Sequence, residues 1–469
     1  MAQPVPLSLA AYKRTGFPES VLVNCGPEKP PTQPSAPISL RARGGHEAFK
    51  TVGSAPFRGI FSRKGLFDDA AIIVAQTEVY TLDSGGVATL LSGSLAGTDL
   101  VAIDAGLDAD LNSLARVANG SAMYKIQGGA VTQEDFPSSG ADNVGASDVC
   151  FGPGQIWIGL KAGTDQFYLQ GPGTNTWSAL AFASNEYQPD PGVAVRRLGD
   201  LALFLNATTT EVWTPSGDSS LLVPYGGLKF DYGCRARASA VSCPGAIIWV
   251  DNNCEVRLFE GGEPSIISDN GLAEQIRRTD AMDLRGSFYV KDGHKYYVLT
   301  LGTTATWSYD LALQSWSRAD SYGYDFLRPN LHANLGDNVL ALDAISNQVW
   351  KMDPDRRTDG SDTFTVRFMA FVEAKAAPIP CANVRLTCEV GDSPLSGQGS
   401  DPLIRMRYSD DQGKTWSNWR NRGLGATGRH STLVQWNALG TIYPPYGRIF
   451  EFEVSDPVGR RFSDLWMNV

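Results

Sequence analysis

Glu78-Val79-Tyr80, Ala122-Met123-Tyr124, Gln166-Phe167-Tyr168, Glu211-Val212-Trp213, Glu255-Val256-Arg257, Trp307-Ser308-Tyr309 and Gln348-Val349-Trp350 are copies of one short phrase. Their third positions follow at intervals of 44, 44, 45, 44, 52 and 41 residues. That interval is the length of one four-stranded propeller blade. Most copies run into a turn, such as Asp83-Ser84-Gly85-Gly86, Gly171-Pro172-Gly173 or Glu260-Gly261-Gly262. Alternation bounded by Gly, Pro and Asp marks a hairpin, so the phrases read as inner blade strands turning into outer ones. Apolar runs precede several of them, including Ala71-Ile72-Ile73-Val74 and Ala246-Ile247-Ile248-Trp249-Val250, and these read as the more buried strands.

Such units cannot bury their faces singly and must stack. The spacing therefore predicts an all-β fold, a six- or seven-bladed β-propeller over residues 57–358, with Tyr80, Tyr124, Tyr168 and Trp213 at equivalent positions. A solenoid is the alternative, since a period alone does not require closure. Residues 1–56, rich in proline at Pro27, Pro30, Pro31, Pro34 and Pro37, lack the phrase and read as an extended N-terminal arm or a blade-closing strand. Past the polar run from Met352 to Gly360 the alternation resumes, which predicts a C-terminal β module over 359–469, resembling a sandwich.

Composition agrees with this division. With 469 residues there is room for more than one core. The chain has 49 Gly and 27 Pro with 19% charged residues, which favours strands and tight turns over amphipathic helices. Against 50 Asp and Glu stand 40 Lys and Arg, a net charge of −10, with no basic block to grip phosphates. A weakly acidic wall is still compatible with DNA sliding past it. No apolar run approaches the roughly 20 residues that span a bilayer, and the start of the chain lacks a secretory pattern, so assembly in a cytoplasm is expected. Seven cysteines without a CxxC pair are expected to be reduced and buried.

Chemistry-bearing patterns are sparse. Ser409, Asp411, Gly413, Thr415 and Trp416 match the Asp-box pattern Ser-x-Asp-x-Gly-x-Thr-Trp known from sialidases and other propellers. In that turn the Asp caps backbone N–H groups, the Gly takes a conformation other residues resist, and the Trp packs beneath. The turn is structural even in enzymes, and one copy outside the blades is a weak sign of a glycosidase. His46, His294, His332 and His430 are scattered, with no HExxH or HxH arrangement. Carboxylate pairs such as Asp251 with Glu255, and Asp410 with Asp411, sit at turns and read as caps. No catalytic, cofactor or metal site is expected. A carbohydrate-binding propeller and a sialidase-like glycosidase remain the alternatives to a structural protein.

The middle of the chain resembles the tail hub proteins of short-tailed bacteriophages, also called nozzle or packaged-DNA-stabilisation proteins. The words that carry the resemblance include Ser184-Asn185-Glu186-Tyr187-Gln188-Pro189-Asp190, Thr210-Glu211-Val212-Trp213-Thr214-Pro215-Ser216-Gly217-Asp218, Asp292-Gly293-His294-Lys295-Tyr296-Tyr297 and Phe452-Glu453-Val454-Ser455-Asp456-Pro457-Val458. Their order covers roughly residues 184–458; the first 180 residues match more loosely, chiefly at Phe57-Arg58-Gly59. The resemblance implies a virion protein of the tail without a catalytic role or cofactor. It also implies a homo-oligomer, a hexameric ring, below the portal and adaptor ring. Such a ring retains packaged genomic DNA, lets it pass without sequence-specific binding, and docks a tail plug or needle and receptor-binding fibres or spikes. No contact with a membrane is implied.

Overall fold

The computed structural model of the chain describes residues 2–5, 22–28, 39–137, 145–218 and 220–468. Pro30, Pro31, Pro34 and Pro37 of the expected arm lie outside the described residues.

Six sheets of four antiparallel strands and a seventh sheet of six strands follow one another along the chain. The first is built from Phe57–Phe61, Ala71–Ala75, Glu78–Leu82 and Ala88–Leu90. The next five cover 102–134, 146–184, 192–230, 241–266 and 284–319. The seventh takes Pro329–Leu335, Asn338–Asp343 and Gln348–Asp353, borrows its fourth strand, Gly45–Thr51, from the N-terminal part of the chain, and is continued beyond it by the short strands Thr358–Asp359 and Asp362–Thr363. Each sheet's first strand touches the first strand of the next, and Pro329–Leu335 touches Phe57–Phe61, so the ends of the series meet as a solenoid's would not. Every copy of the sequence phrase lies on a third strand: Tyr80, Tyr124, Tyr168, Trp213, Arg257, Tyr309 and Trp350.

Period-two alternation explains the stacking. Along Ala71–Ala75, Ile72 and Val74 pack on Ala115, Val117 and Tyr124 of the second sheet, while Ala71, Ile73 and Ala75 pack on Leu340 and Leu342 of the seventh. A strand covered on both sides has no polar face, which is why the second strands read as unbroken apolar runs. Corresponding apolar clusters lie between sheets two and three, three and four, four and five, and five and six. Between sheets six and seven, no apolar cluster of the described residues bridges the gap; Ser287, His332, Val290 and Asn334 meet there through hydrogen bonds.

The 52-residue interval also has a physical cause. It contains the helix Asn270–Arg278, started by the Asp269 carboxylate accepting from Leu272 N–H at 2.8 Å and anchored by buried Leu272 and Ile276.

Beyond the seventh sheet two further sheets share one core. Val366–Val372, Arg448–Val454, Leu403–Ser409 and Arg420–Gly423 form one. The other runs in the order Cys25–Glu28, Ser39–Ala42, Arg461–Asn468, Asn383–Cys388, Val434–Asn437, with Ala2–Val5 also paired to Arg461–Asn468. Phe368 and Phe452 of the first meet Phe462 and Trp436 of the second, with ring centroids 4.4 to 5.5 Å apart. The N-terminal residues thus divide between the seventh sheet and this pair of sheets. Val23 joins the two regions, donating to Arg367 C=O at 2.9 Å while its neighbour Asn24 donates to Arg318 C=O at 2.8 Å.

Candidate functional site: the bridged axis and the joint

Arg237 lies just before the fifth sheet, yet its guanidinium donates to Ser147 C=O at 3.1 Å, to Ala118 C=O at 3.3 Å and to Leu100 C=O. These acceptors belong to the second and third sheets and to the segment entering the second. In a ring of seven sheets, a side chain that skips the fourth sheet must pass through the middle. Beside it Arg196 pairs with Asp148 at 2.5 Å and donates to Ala240 C=O at 2.8 Å. Asp148 is fully buried, so the pair works at low dielectric and costs desolvation that its hydrogen bonds offset. Burial pushes the Arg237 pKa down, but a guanidinium remains charged at any ordinary pH. The axis at this level is therefore filled by a cross-ring arginine.

A second buried polar cluster ties the N-terminal hairpin to the two regions. The Arg43 guanidinium grips both oxygens of Asp359 at 3.0 and 2.6 Å, and His46 Nδ1 lies 2.8 Å from Asp359 Oδ1. Ser321 donates to the same carboxylate at 3.3 Å. On its other side Arg43 donates to Asn24 Oδ1 at 2.8 Å, and Asn24 donates to Asp320 at 2.5 Å and to Thr365 C=O at 2.8 Å. Arg43 also stacks on Phe364 at 3.8 Å. Arg43 and the His46 N–H together hold the Asp359 carboxyl well below the usual range despite its burial. Local spacing gives no sign of this joint, because its members come from residues 24, 43, 46, 320, 321 and 359.

At Ser409–Trp416, Asp411 Oδ1 accepts from Thr415 N–H at 2.8 Å and from Ser409 Oγ at 2.8 Å, and Oδ2 accepts from the Thr415 hydroxyl at 2.6 Å. Gly413 has φ +84° and donates its N–H to Ser409 Oγ at 2.8 Å. The Thr415 and Ser409 bonds pull the Asp411 carboxyl down to about 2. Trp416 lies half-buried with the Arg407 guanidinium over its ring at 4.4 Å, outside the apolar core. Arg407 also stacks on Trp419 and pairs with Glu451, on the face of the sheet turned from the core. Neighbouring Asp410 forms a two-pronged pair with Arg448 at 2.6 and 2.7 Å.

The other carboxylate pair, Asp251 and Glu255, converges on one cation. Arg257 Nε reaches Asp251 at 2.6 Å and its Nη2 reaches Glu255 at 3.3 Å. Asp251 also caps Asn253 and Glu255 N–H. Asp343 in the seventh sheet does the same job, capping Ile345 and Ser346 and accepting from Trp350 Nε1 at 2.8 Å. Both carboxylates sit in the turn between second and third strands, and the third-strand side chain reaches back to them, which explains how Arg257 stands where the repeat has an aromatic ring.

Six of the seven cysteines are buried, and burial pushes the thiols of Cys25, Cys234 and Cys243 up to about 12, leaving no thiolate at neutral pH. Three of the four histidines, at 46, 294 and 332, line one cavity, a convergence the sequence did not announce. His430 lies apart, exposed, with Nδ1 3.2 Å from Val390 C=O. Among the described residues no helix is long and apolar enough to cross a membrane.

No curated protein matches the chain. Among solved structures it is similar to virginiamycin B lyase from Staphylococcus aureus, at 10% identity and TM-score 0.43, covering 63% of this chain and 94% of that one. It is also similar to BBS1N in complex with ARL6DN, at 11% and 0.43, covering 68% and 99%, and to PorZ of Porphyromonas gingivalis, at 10% and 0.37, covering 82% and 46%. Likenesses this distant carry no argument about function. The family profile described as "Bacteriophage P22 Gp10, beta-propeller", named Phage_stabilise, matches residues 5–355, which takes in six of the seven sheets whole and four strands of the seventh. The chain belongs to that family of structural bacteriophage proteins built on a β-propeller.

Proposed function

We propose that this protein is a tail hub, or nozzle, subunit that extends and closes the DNA exit channel below the portal and adaptor. In this reading six copies form a ring, retain the packaged genome and offer docking surfaces to a plug or needle and to fibres or spikes. The seven sheets are the blades of each subunit. Strand Gly45–Thr51 and the short strands Thr358–Asp359 and Asp362–Thr363 beside it belong to the propeller's seventh sheet, while the remaining N-terminal strands join the rest of the C-terminal module expected over 359–469 in one sandwich-like unit. The Asp-box residues Ser409, Asp411, Gly413, Thr415 and Trp416 serve that module as a turn.

The observation that carries the proposal is Arg237 across the axis. Duplex DNA, roughly 20 Å wide, cannot share that passage, so it must run between subunits of a ring whose interfaces are head-to-tail. The net charge of −10 suits a wall past which phosphates slide. Electron microscopy of the assembled tail tests this directly: the expected image is a six-fold ring with density for DNA on its own axis. DNA running through a single propeller, or a particle lacking the protein in its tail, would refute it.

The turn gives a separate test. Asp411→Ala is expected to lower the melting temperature by no more than a few degrees and to leave ring assembly intact, as loss of an exposed cap does. Loss of a glycan-cleaving activity at unchanged melting temperature would instead favour a glycosidase.

A further inference from the structure

Two carboxylates lie buried on a sheet face that the core does not cover. In the four-stranded sheet of the C-terminal module, Phe368, Phe452 and Met406 point into the core, and the alternate residues point outward. Glu451 and Glu453 stand on the outward face, yet both are buried, because arginines close over them. Glu453 pairs with Arg405 and, at 3.1 Å, with Arg367; Glu451 pairs with Arg407 and, at 3.3 Å, with Arg367. Three guanidinium groups thus answer two carboxylates. Arg407 lies over the Trp416 and Trp419 rings, at 4.4 and 4.6 Å, and Arg405 over Trp419 at 4.6 Å. These contacts fix the long side chains in place, although Arg367 and Arg405 remain 41% and 47% exposed. Leu403, at the end of the same row, is 43% exposed. A surface of ordered arginine and tryptophan has the composition enriched where proteins bind one another.

Charge is divided unevenly along the chain. Residues 359–469 hold as many Lys and Arg as Asp and Glu, so the whole net charge of −10 lies on residues 1–358. There the second sheet raises a tip of opposite character. In the turn Asp108-Ala109-Asp110-Leu111-Asn112, Leu111 has φ +64° and is 71% exposed. Asp108 N–H donates to Asn112 C=O at 3.0 Å and Leu111 N–H to Asp108 C=O at 3.1 Å, the pattern of a hairpin turn whose left-handed position favours glycine. Leucine there costs the free chain twice, in backbone strain and in apolar exposure. The tip is nevertheless fixed. Asp108 accepts from the N–H groups of Asp110 and Asn112 at 2.9 and 2.7 Å. Asn175 of the third sheet accepts from Ala109 N–H at 2.9 Å and donates to Asp110 at 3.3 Å. Beside the tip runs an open groove of about 650 Å³, whose lining sets Asp68, Asp108 and Asp110 against one cation, Lys125.

On the reading of this protein as a ring-forming hub, each chain needs two different surfaces that fit one another. We propose that the Arg405–Trp419 face of one subunit receives the Leu111 tip of the next, a second copy of this chain. Leu111 packs on the tryptophan rings, and Asp68 and Asp110 answer the arginine charge that Glu451 and Glu453 leave over. A fixed tip and a fixed face lose little freedom on meeting, so more of the buried area is kept as affinity.

Tails assembled with the full chain carrying both Leu111→Cys and Leu403→Cys test it, with a short thiol-specific bis-maleimide as linker. Both positions are exposed, so neither change opens the core. A ladder of covalent multimers is expected from the double variant and none from either single variant. A ring seen by electron microscopy without that ladder, or a ladder from a single variant, overturns this interface and leaves the hub reading standing. Wild-type chain that forms no ring overturns the hub reading, and the interface with it. Should the double variant fail to enter tails, Leu111→Gly decides. The isolated variant is expected to melt about as high as the wild type, since glycine relieves the left-handed strain, while its incorporation into tails falls about tenfold. Unchanged incorporation, or a loss of stability in the isolated chain that accounts for the fall, overturns the proposal.

Discussion

Asp359→Ala is expected to lower the unfolding free energy by about 3–5 kcal/mol, the cost of removing one partner from a buried ion pair. The carboxylate accepts from both Arg43 Nη atoms, from His46 and from Ser321, and only 7% of it is exposed. Alanine leaves a guanidinium and an imidazole N–H enclosed without their acceptor. Asp359→Asn keeps the shape and one acceptor oxygen, and a smaller loss is expected. Chemical unfolding measures the difference. Limited proteolysis adds a local readout, since faster cleavage within residues 22–44 is the expected sign of a loosened hairpin. A loss below 1 kcal/mol would mean that the joint contributes little beyond its backbone bonds.

Acid is expected to weaken the fold steeply below neutrality, and the sign follows from the same cluster. His46 and His332 have folded pKa values lowered by burial, His332 to about 3, whereas the unfolded chain titrates them near 6.5. Between these limits the unfolded state binds more protons. Their contribution is therefore complete above about pH 6.5 and is lost as pH falls, by up to about 3 kcal/mol per pH unit for two protons. Asp359 acts in the same direction at lower pH: its depressed carboxyl adds stability above the ordinary Asp value, near 3.9, that disappears below it. Urea midpoints at pH 7.5, 6.0 and 5.0 give the slope, and His332→Asn should reduce it by about half. A flat profile over that range would show that neither ring is held neutral.

Much of the architecture was legible because a repeat writes its period into the chain. The recurring third-strand phrase and the apolar second strands located the sheets, and the one long interval marks an inserted helix that itself gave no earlier signal. What local reading could not reach was assembled from distant parts. Gly45–Thr51 carries no copy of the phrase, since the phrase marks third strands and this strand stands fourth in its sheet. Arg237 looks like any surface arginine until the ring places three carbonyls around it. The histidines at 46, 294 and 332 form no motif, because their convergence depends on which sheets close the ring. Trp416, expected beneath its turn, has the Arg407 guanidinium over its ring, a contact that the pattern alone does not announce.

The borrowed strand of the seventh sheet also sets a clock. Six of the seven sheets need only residues close in sequence, so each can form as it leaves the ribosome. Gln348 pairs with Thr51, 297 positions earlier. At about 5–20 residues per second, Gly45–Thr51 waits roughly 15 to 60 s for its partner to be made. Through that interval it is an unpaired edge, open to the wrong neighbour, and its Glu47 and Lys50 are the kind of charges that keep waiting edges apart. Ring closure is then the last event in the life of the nascent propeller, and the hairpin with its buried joint settles only afterwards.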